Sequence, residues 1–280
     1  VTALQSWRPR PPLDLFVDRI WWSERAAASA HFEHNLPTGE VHLIIALHDR
    51  PIAYAPRGDR KTLRWTGGIV HGPQSSFYLT APKPAGAVMG VAFRPGAAAA
   101  VLGLPVSELV DRHVTLEELW DSQGRVLHER LASAATPQAA FHILEAALLA
   151  RLRMPLLVHP AVAYALRQSA GGVPNKAVSD IQRETGYSAK HFIAVFRAAV
   201  GLTPKEYLRI KRFGAVAKNI AAGRAAGTLA DLADAAGYAD QSHMTREFRD
   251  LAGVTPTDYR PPDAQSPFHH VVEPTPPETG

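Results

Sequence analysis

Four histidines, His31, His34, His42 and His48, lie near one another in the sequence, and imidazoles in a cluster are what a bound transition metal needs. The spacing that serves such a site in a small β-barrel is two histidines one residue apart with a glutamate four residues on. That spacing is absent, so neither a metal nor another cofactor is expected. Trp7, Trp21, Trp22 and Trp65 offer aromatic surface for an effector pocket, although tryptophans in a β-rich unit more often fill its core. Cysteine is missing altogether, which excludes disulfides, thiol nucleophiles and cysteine-based zinc sites. No Gly-rich phosphate loop, serine elbow or carboxylate pair stands out. The residue types therefore give no support to catalysis, and the chain is not read as an enzyme.

Charge points elsewhere. Residues 172–224 carry ten Lys or Arg against three Asp or Glu, residues 225–262 carry three against six, and the tail 263–280 carries none against three. With an overall charge of only +4, the positive potential is concentrated in one short segment. Such a segment fits a polyanion, and equally an ordinary solvated helix surface. Hydrophobic residues make up 46% of the chain and charged ones 20%, enough apolar side chain for a packed core. No apolar run reaches about 18 residues, and Val1 to Arg10 lack a basic-then-apolar leader. A cytoplasmic location without membrane contact is expected.

The elements that must position any site change character along the chain. Val41–Leu47 and Ala87–Phe93 are short apolar runs with β-branched members, closed by His48-Asp49-Arg50-Pro51 and Arg94-Pro95-Gly96. Gly58, Gly67, Gly68, Gly72 and Pro73 punctuate further short strands such as Ser76–Thr80, so a small sandwich or barrel is expected. Helical patterns follow at Ala97–Leu102 and Leu116–Trp120. Phe141, Leu144, Glu145, Leu148, Leu149 and Leu152 recur at helical spacing and predict a helix over Pro137–Arg153. That helix either joins two domains, pairs with a second copy of itself or packs on its own domain. Pro155 and Pro160 separate it from residues 161–260, which read as helical throughout. The Pro-rich tail beyond reads as disordered, with prolines at 261, 262, 267, 274, 276 and 277.

The helical part contains a repeat. Phe196-Arg197, Gly201, Thr203-Pro204 and Tyr207 recur as Phe248-Arg249, Gly253, Thr255-Pro256 and Tyr259, each 52 positions on, with an acid before each tyrosine. Gly186-Tyr187 recurs as Gly237-Tyr238, 51 positions on. Thr203 with Glu206, Thr228 with Asp231 and Thr255 with Asp258 are spaced as capping boxes. Gly186 and Gly237 stand where a helix must end in a left-handed conformation, and Ser188 and Asp240 stand where the next helix needs a cap. Helix, glycine turn and helix is the unit expected twice. Ile181, Phe192, Val195 and Phe196 form one predicted core; Leu232, Met244 and Phe248 form the other. The stretch from Pro204 to Ala222 predicts one long helix holding the two units apart.

These motifs, above all Gly237-Tyr238, Gln241-Ser242, Arg246-Glu247-Phe248 and Gly253-Val254-Thr255-Pro256-Thr257-Asp258-Tyr259-Arg260, strongly resemble the AraC/XylS family of bacterial transcription activators. The resemblance covers roughly residues 160 to 260. It implies that Ala189–Val200 and Asp240–Ala252 are recognition helices that enter adjacent major grooves about 34 Å apart. Lys190, Ile193 and Ala194 would then face bases in the first helix, and Gln241, Ser242, Thr245 and Arg246 in the second. Arginine pairs with guanine and glutamine with adenine. His191, Arg197, Lys211, Arg212 and Arg249 are read as phosphate contacts or surface charges. Family members usually carry arginine at the position of Ala194, so the first helix would read bases more through Lys190 and apolar contact.

Gly90-Val91-Ala92-Phe93-Arg94-Pro95-Gly96 and Val114–Trp120 resemble the β-rich, cupin-like sensor domains that often precede this module. The expected fold is α+β and multidomain. It comprises a β-rich cupin-like domain over 1–135 for sensing or dimerisation, a helical linker over 136–159, and an all-α domain with two helix-turn-helix units over 160–262. A disordered tail over 263–280 completes it. The resemblance implies promoter DNA and RNA polymerase as partners, with a small-molecule effector or a homodimer exerting control. A cupin-like enzyme with a helical regulatory appendage is the rival reading. A DNA-repair protein built on the same module would need the reactive cysteine that is absent.

Overall fold

A computed structural model describes residues 2–55, 57, 62–153, 158–169, 176–223 and 228–272. Gly58, Pro155, Pro274, Pro276 and Pro277, singled out as punctuation, lie outside them, as does Arg224 of the basic segment.

Among the described residues the first unit is built on eleven antiparallel strands: β1 (Thr2–Trp7), β2 (Val17–Arg25), β3 (Phe32–Asn35), β4 (His42–Ala46), β5 (Ile52–Ala55), β6 (Leu63–Trp65), β7 (Gly68–His71), β8 (Tyr78–Thr80), β9 (Gly86–Phe93), β10 (His113–Thr115) and β11 (His269–Val272). They form a six-stranded sheet in the order β1-β2-β9-β4-β7-β10 and a five-stranded sheet in the order β11-β3-β8-β5-β6. Among the described residues four α-helices accompany them: α1 (Ala99–Leu102), α2 (Leu116–Trp120), α3 (Ser122–Ala132) and α4 (Pro137–Arg151).

Alternation along the strands explains the layering. Leu43 and Ile45 of β4, with Val70, Met89, Val91 and Phe93, face one side of the six-stranded sheet and pack against α1–α4. Ile44 and Ala46, with Ile69, face the other side and meet Tyr54, Trp65 and Tyr78 of the second sheet. A period of two puts the members of one strand into two cores. Each fully buried Leu or Ile in those cores contributes about 1.5–3 kcal/mol.

α4 is a wall of the first core. Ala140, Phe141, Leu144 and Leu148 are buried there, Phe141 stacks on Trp7 at 5.3 Å, and the Arg10 amide donates to Glu145 at 2.8 Å. Packing on its own domain is one of the three roles open to this helix, and α4 makes those contacts.

The second unit is all α: α5 (Pro160–Gln168), α6 (Val178–Thr185), α7 (Ala189–Val200), α8 (Pro204–Ala221), α9 (Leu229–Ala235) and α10 (Gln241–Ala252). Phe192, Phe196, Tyr207, Phe213, Met244, Phe248 and Tyr259 are buried in one continuous core, which takes in both predicted ones. The α+β organisation expected from the sequence, β-rich and then all-α with two helix-turn-helix units, is therefore present. Among the described residues no helix is long and apolar enough to cross a membrane.

Two expectations are corrected. The helix does not run on to residue 260: α10 ends at Gly253, and Thr255–Tyr259 is a turn in which Asp258 and Tyr259 donate their amides to the Thr255 carbonyl. Pro261 and Pro262 leave no donor with which to extend it. The tail is also not disordered throughout, because β11 pairs with β3 in the register His269↔Asn35 to Val272↔Phe32. Tyr259 donates its hydroxyl to the Pro267 carbonyl at 2.6 Å and the Arg260 amide donates to His270 at 2.9 Å. Pro261, Pro262 and Pro267 precede the strand and the β-branched Val271 and Val272 lie in it.

Candidate nucleic-acid interface

Each helix-turn-helix unit is set by local bonds. In the first, α6 ends at Gly186 with φ +74°, and the Ser188 side chain accepts the His191 amide at 3.3 Å to start α7. In the second, Thr228 and Asp231 form a reciprocal capping box for α9, Gly237 turns the chain with φ +74°, and Asp240 accepts the His243 amide at 2.7 Å to start α10. Thr203 and Glu206 close the same box at the start of α8. Each of these caps contributes about 0.5–2 kcal/mol. The 18 residues of α8 span roughly 27 Å at 1.5 Å per residue, a rigid strut between the units.

Helical periodicity then divides α7 and α10 into two faces. Phe192, Phe196 and Val200 are buried on the inner face of α7; Met244, Phe248 and Leu251 do the same in α10. On the opposite face, Lys190, His191, Ile193, Ala194 and Arg197 are exposed in α7, while Gln241, Ser242, Arg246 and Arg249 are exposed in α10 and Thr245 is half-buried. The two sets correspond through the repeat: Lys190 with Ser242, Ile193 with Thr245, Ala194 with Arg246 and Arg197 with Arg249. Ile193 is 42% exposed, unusual for isoleucine in a packed domain. Among the described residues, no carboxylate lies within 4.0 Å of Lys190, Arg197, Arg246 or Arg249. Their charges are available to a partner.

The acidic surplus of the second helix-turn-helix unit is partly turned inward. Glu247 is buried, accepts the Tyr238 hydroxyl at 2.7 Å and the Arg209 Nε at 3.1 Å, and lies 3.8 Å from Arg212. Burial, with the Glu247 carboxylate beside it, raises the Tyr238 phenol far above its ordinary value, so it stays protonated and donates. Asp250 is paired with Arg209 at 3.1 Å.

Two of the expected phosphate contacts are engaged elsewhere. Lys211 is half-buried, 2.9 Å from Glu40 and 3.2 Å from the Thr38 carbonyl, and so ties α8 to the first unit. The guanidinium of Arg212 lies over the Tyr238 ring at 5.2 Å. Partners more than 170 residues away override what exposure would have offered Lys211. The two Gly-Tyr pairs also differ: Tyr238 is buried, whereas Tyr187 is exposed and lies 4.9 Å from the His191 ring.

The structure separates the histidines first weighed for a metal. His34 donates Nδ1–H to the Ala252 carbonyl at 2.9 Å, His42 lies 3.9 Å from Glu40, and His31 lies 3.8 Å from Glu33. Among the described residues neither ring nitrogen of His48 has a hydrogen-bond partner. A different pair meets between the sheets, His71 and His113, with Nδ1 atoms 2.5 Å apart and Tyr54 and Tyr78 around them. Burial lowers the His113 pKa to about 4 and that of His71 well below its ordinary value, so both are neutral near pH 7. Spacing in the sequence gave no hint of this pair, because β7 and β10 become neighbours only in the sheet. The tryptophans are likewise dispersed: Trp7 and Trp22 in the helix-side core, Trp65 between the sheets, and Trp21 over Gly90.

Residues 181–261 match the family model of a helix-turn-helix domain, and residues 5–115 match a domain of unknown function, DUF6597. A putative AraC-like transcription regulator of Streptomyces lividans is 35% identical over 83 residues, which are 30% of this chain. The match spans only 27% of that protein's length. Among solved structures, apo ToxT from Vibrio cholerae overlaps 85% of this chain and 95% of its own, with 12% identity and a TM-score of 0.47. ToxT of the same species with unsaturated fatty acid bound overlaps 91% of this chain and 92% of its own, with 9% identity and a TM-score of 0.38.

Proposed function

We propose, from the premise that residues 181–261 form a helix-turn-helix domain of the AraC type, that the chain is a sequence-specific DNA-binding transcription regulator. α7 and α10 enter adjacent major grooves on one side of a promoter, and α8 keeps them at a fixed separation. The observation that carries this reading is the repeated division of faces: two capped helices, each with a buried aromatic inner face and an outer face whose Lys190, Arg197, Arg246 and Arg249 have no carboxylate partner among the described residues. On that outer face Lys190 and the apolar Ile193 and Ala194 read bases in the first groove. Gln241, Ser242, Thr245 and Arg246 read bases in the second, with Arg246 suited to guanine and Gln241 to adenine. His191, Arg197 and Arg249 contact phosphates and fix register. The first unit exerts control, through a small molecule or the pairing of two copies, and the DNA-bound protein contacts RNA polymerase.

The test is selection of duplexes from a randomised pool by the full chain, followed by gel shifts of the recovered sequence. Enrichment of a bipartite site, bound more weakly as salt rises, supports the reading. Recovery of no sequence above the starting pool would overturn it.

A further inference from the structure

Gly201 and Gly253 are equivalent residues of the repeat, 52 positions apart, and each ends one of the outer-face helices with positive φ, +91° and +78°. In both places the space a side chain would need is filled by the first unit. A Cβ on Gly201 would come within 2.9 Å of Pro73 and within 3.2 Å of Val110 and Val106. A Cβ on Gly253 would come within 2.6 Å of the Phe77 ring and 3.2 Å of His34. Pro73 and Phe77 are four residues apart, so their Cα atoms are separated by at most about 14 Å. One short segment between β7 and β8 thus lies against the ends of both α7 and α10.

That segment is anchored. The Gly72 amide donates to the Arg112 carbonyl and the Asp111 amide to the Pro73 carbonyl, both at 3.0 Å. The Asp111 carboxylate accepts the Ser75 amide at 2.6 Å and the Ser75 hydroxyl at 2.7 Å. Asp111 itself has φ +54°, a conformation costly for a residue other than glycine, and the surrounding bonds hold it there.

Toward α10 the contact is polar and directional. The last carbonyls of a helix have no partner within it. Here the Phe77 amide donates to the Leu251 carbonyl at 3.0 Å, His34 to that of Ala252 at 2.9 Å, and Arg57 to that of Asp250 at 2.6 Å. All three donors belong to the first unit. In the other direction the segment is continuous with that unit's interior: His71 directly precedes Gly72, and His113 lies two residues past Asp111.

We propose that Pro73–Phe77, together with His34, is a spacer that works with the α8 strut to set the separation and relative tilt of α7 and α10, and that a change inside the first unit alters promoter recognition by moving it. This rests on the DNA-binding reading above. Pro73, Ser75, Phe77 and His34 are positioning residues and lie outside both outer faces. Successive base pairs are 3.4 Å apart along the duplex. A rigid spacer therefore makes binding sensitive to the number of base pairs between half-sites, and a loosened one tolerates an insertion.

The probe is the duplex recovered by the full chain from a randomised pool, compared with the same duplex carrying one extra base pair between its half-sites. The parent protein should bind the lengthened duplex at least about tenfold more weakly. Phe77→Ala and Ser75→Ala should each cut that penalty to roughly twofold, while single-base mismatches within either half-site keep their parental cost. The Ser75 hydroxyl bonds to Asp111 of the first unit, so Ser75→Ala loosens the segment from that side and remains informative if Phe77→Ala unfolds. Unchanged spacing penalties in the folded variants, or a parent that selects sequence but ignores spacing, would overturn the spacer while leaving the DNA-binding reading intact. A parent that recovers no sequence refutes both.

Discussion

The hydroxyl of Tyr238 donates to the buried carboxylate of Glu247 at 2.7 Å, and that one bond distinguishes the second helix-turn-helix unit from the first, whose counterpart Tyr187 remains exposed. Glu247 also receives Arg209, so α8, the turn before α10 and α10 itself converge on one carboxylate. The second unit is held by a polar lock as well as by packing, and the lock draws acidic charge away from the outer face.

Glu247→Ala should destabilise the chain by roughly 3 kcal/mol, because it strands a buried phenol and a partly buried guanidinium. Tyr238→Phe should cost less, about 1.5–3 kcal/mol, since only one charge-assisted bond is lost. Urea denaturation gives both values. Equal stability of parent and Glu247→Ala would show that water replaces the carboxylate without loss.

Arg246→Ala should weaken binding to the selected duplex by about 1–3 kcal/mol and relax the preference at one base pair. Its thermal midpoint should stay near the parental one, because the side chain is exposed. Arg249→Ala should instead weaken all sequences alike and flatten the salt dependence. Gel shifts across a mismatch series distinguish the two patterns, and unaltered selectivity in Arg246→Ala would remove that residue from the base-reading set.

Thr203→Ala should lower stability by about 0.5–2 kcal/mol through loss of the capping box at the start of α8. Thr255→Ala should cost less, since Thr255 opens a single turn. The difference in urea midpoint between the two variants is the measurement, and a larger effect at Thr255 would contradict it.

The local signals were legible in the sequence and the distant ones were not. Ser188, Asp240, Thr203 and Thr228 cap helices through bonds to residues three positions on, so spacing alone locates α7, α10, α8 and α9. Lys211 with Glu40, and His34 with Ala252, join residues 171 and 218 positions apart, and no periodicity reports such pairs. Thr255-Pro256 has the same local chemistry as Thr203-Pro204 yet starts no long helix. The downstream residues make the difference: Leu208, Arg209 and Ile210 extend α8, whereas Arg260 is succeeded by Pro261 and Pro262. Proline content in the tail signalled disorder, but pairing with β3 supplied the order that composition could not show.

Gly253→Ala should destabilise the protein by more than about 1 kcal/mol, since it combines a positive φ with a Cβ directed at the Phe77 ring. Gly186→Ala shares the positive φ, but among the described residues no non-neighbouring atom lies within 4 Å of its would-be Cβ, so it should cost less. Thermal unfolding of the two variants compares strain alone with strain plus collision, and matching midpoints would mean the Phe77 contact yields freely.

Acidification should weaken the fold before the carboxylates titrate. Burial lowers the pKa of both His113 and His270 to about 4, against an ordinary value of 6.5. Between those values the unfolded chain binds protons that the folded one does not, so stability falls as pH drops from about 6.5 to about 4. The slope is at most about 1.4 kcal/mol per pH unit for each histidine. Glu33, held ionised through His269 and Lys83 despite its burial, adds a further loss below the ordinary carboxylate value of 4.5. Urea midpoints at pH 7.5, 5.5 and 4.5 measure the trend, and a flat profile from 7.5 to 5.5 would argue that these imidazoles are hydrated.

β11 gives the molecule a particular order of assembly. A ribosome delivers β3 well before its outer neighbour, which follows only after α1–α10 have been made, so the five-stranded sheet stays one strand short over that interval. The bare flank of β3 is meanwhile open to mispairing with another nascent chain, and closing it requires contacts of very large sequence separation, which form slowly. Completing this sheet thus waits for residues 269–272 to follow all of α5–α10, and a fragment cut before residue 269 would carry that open edge permanently.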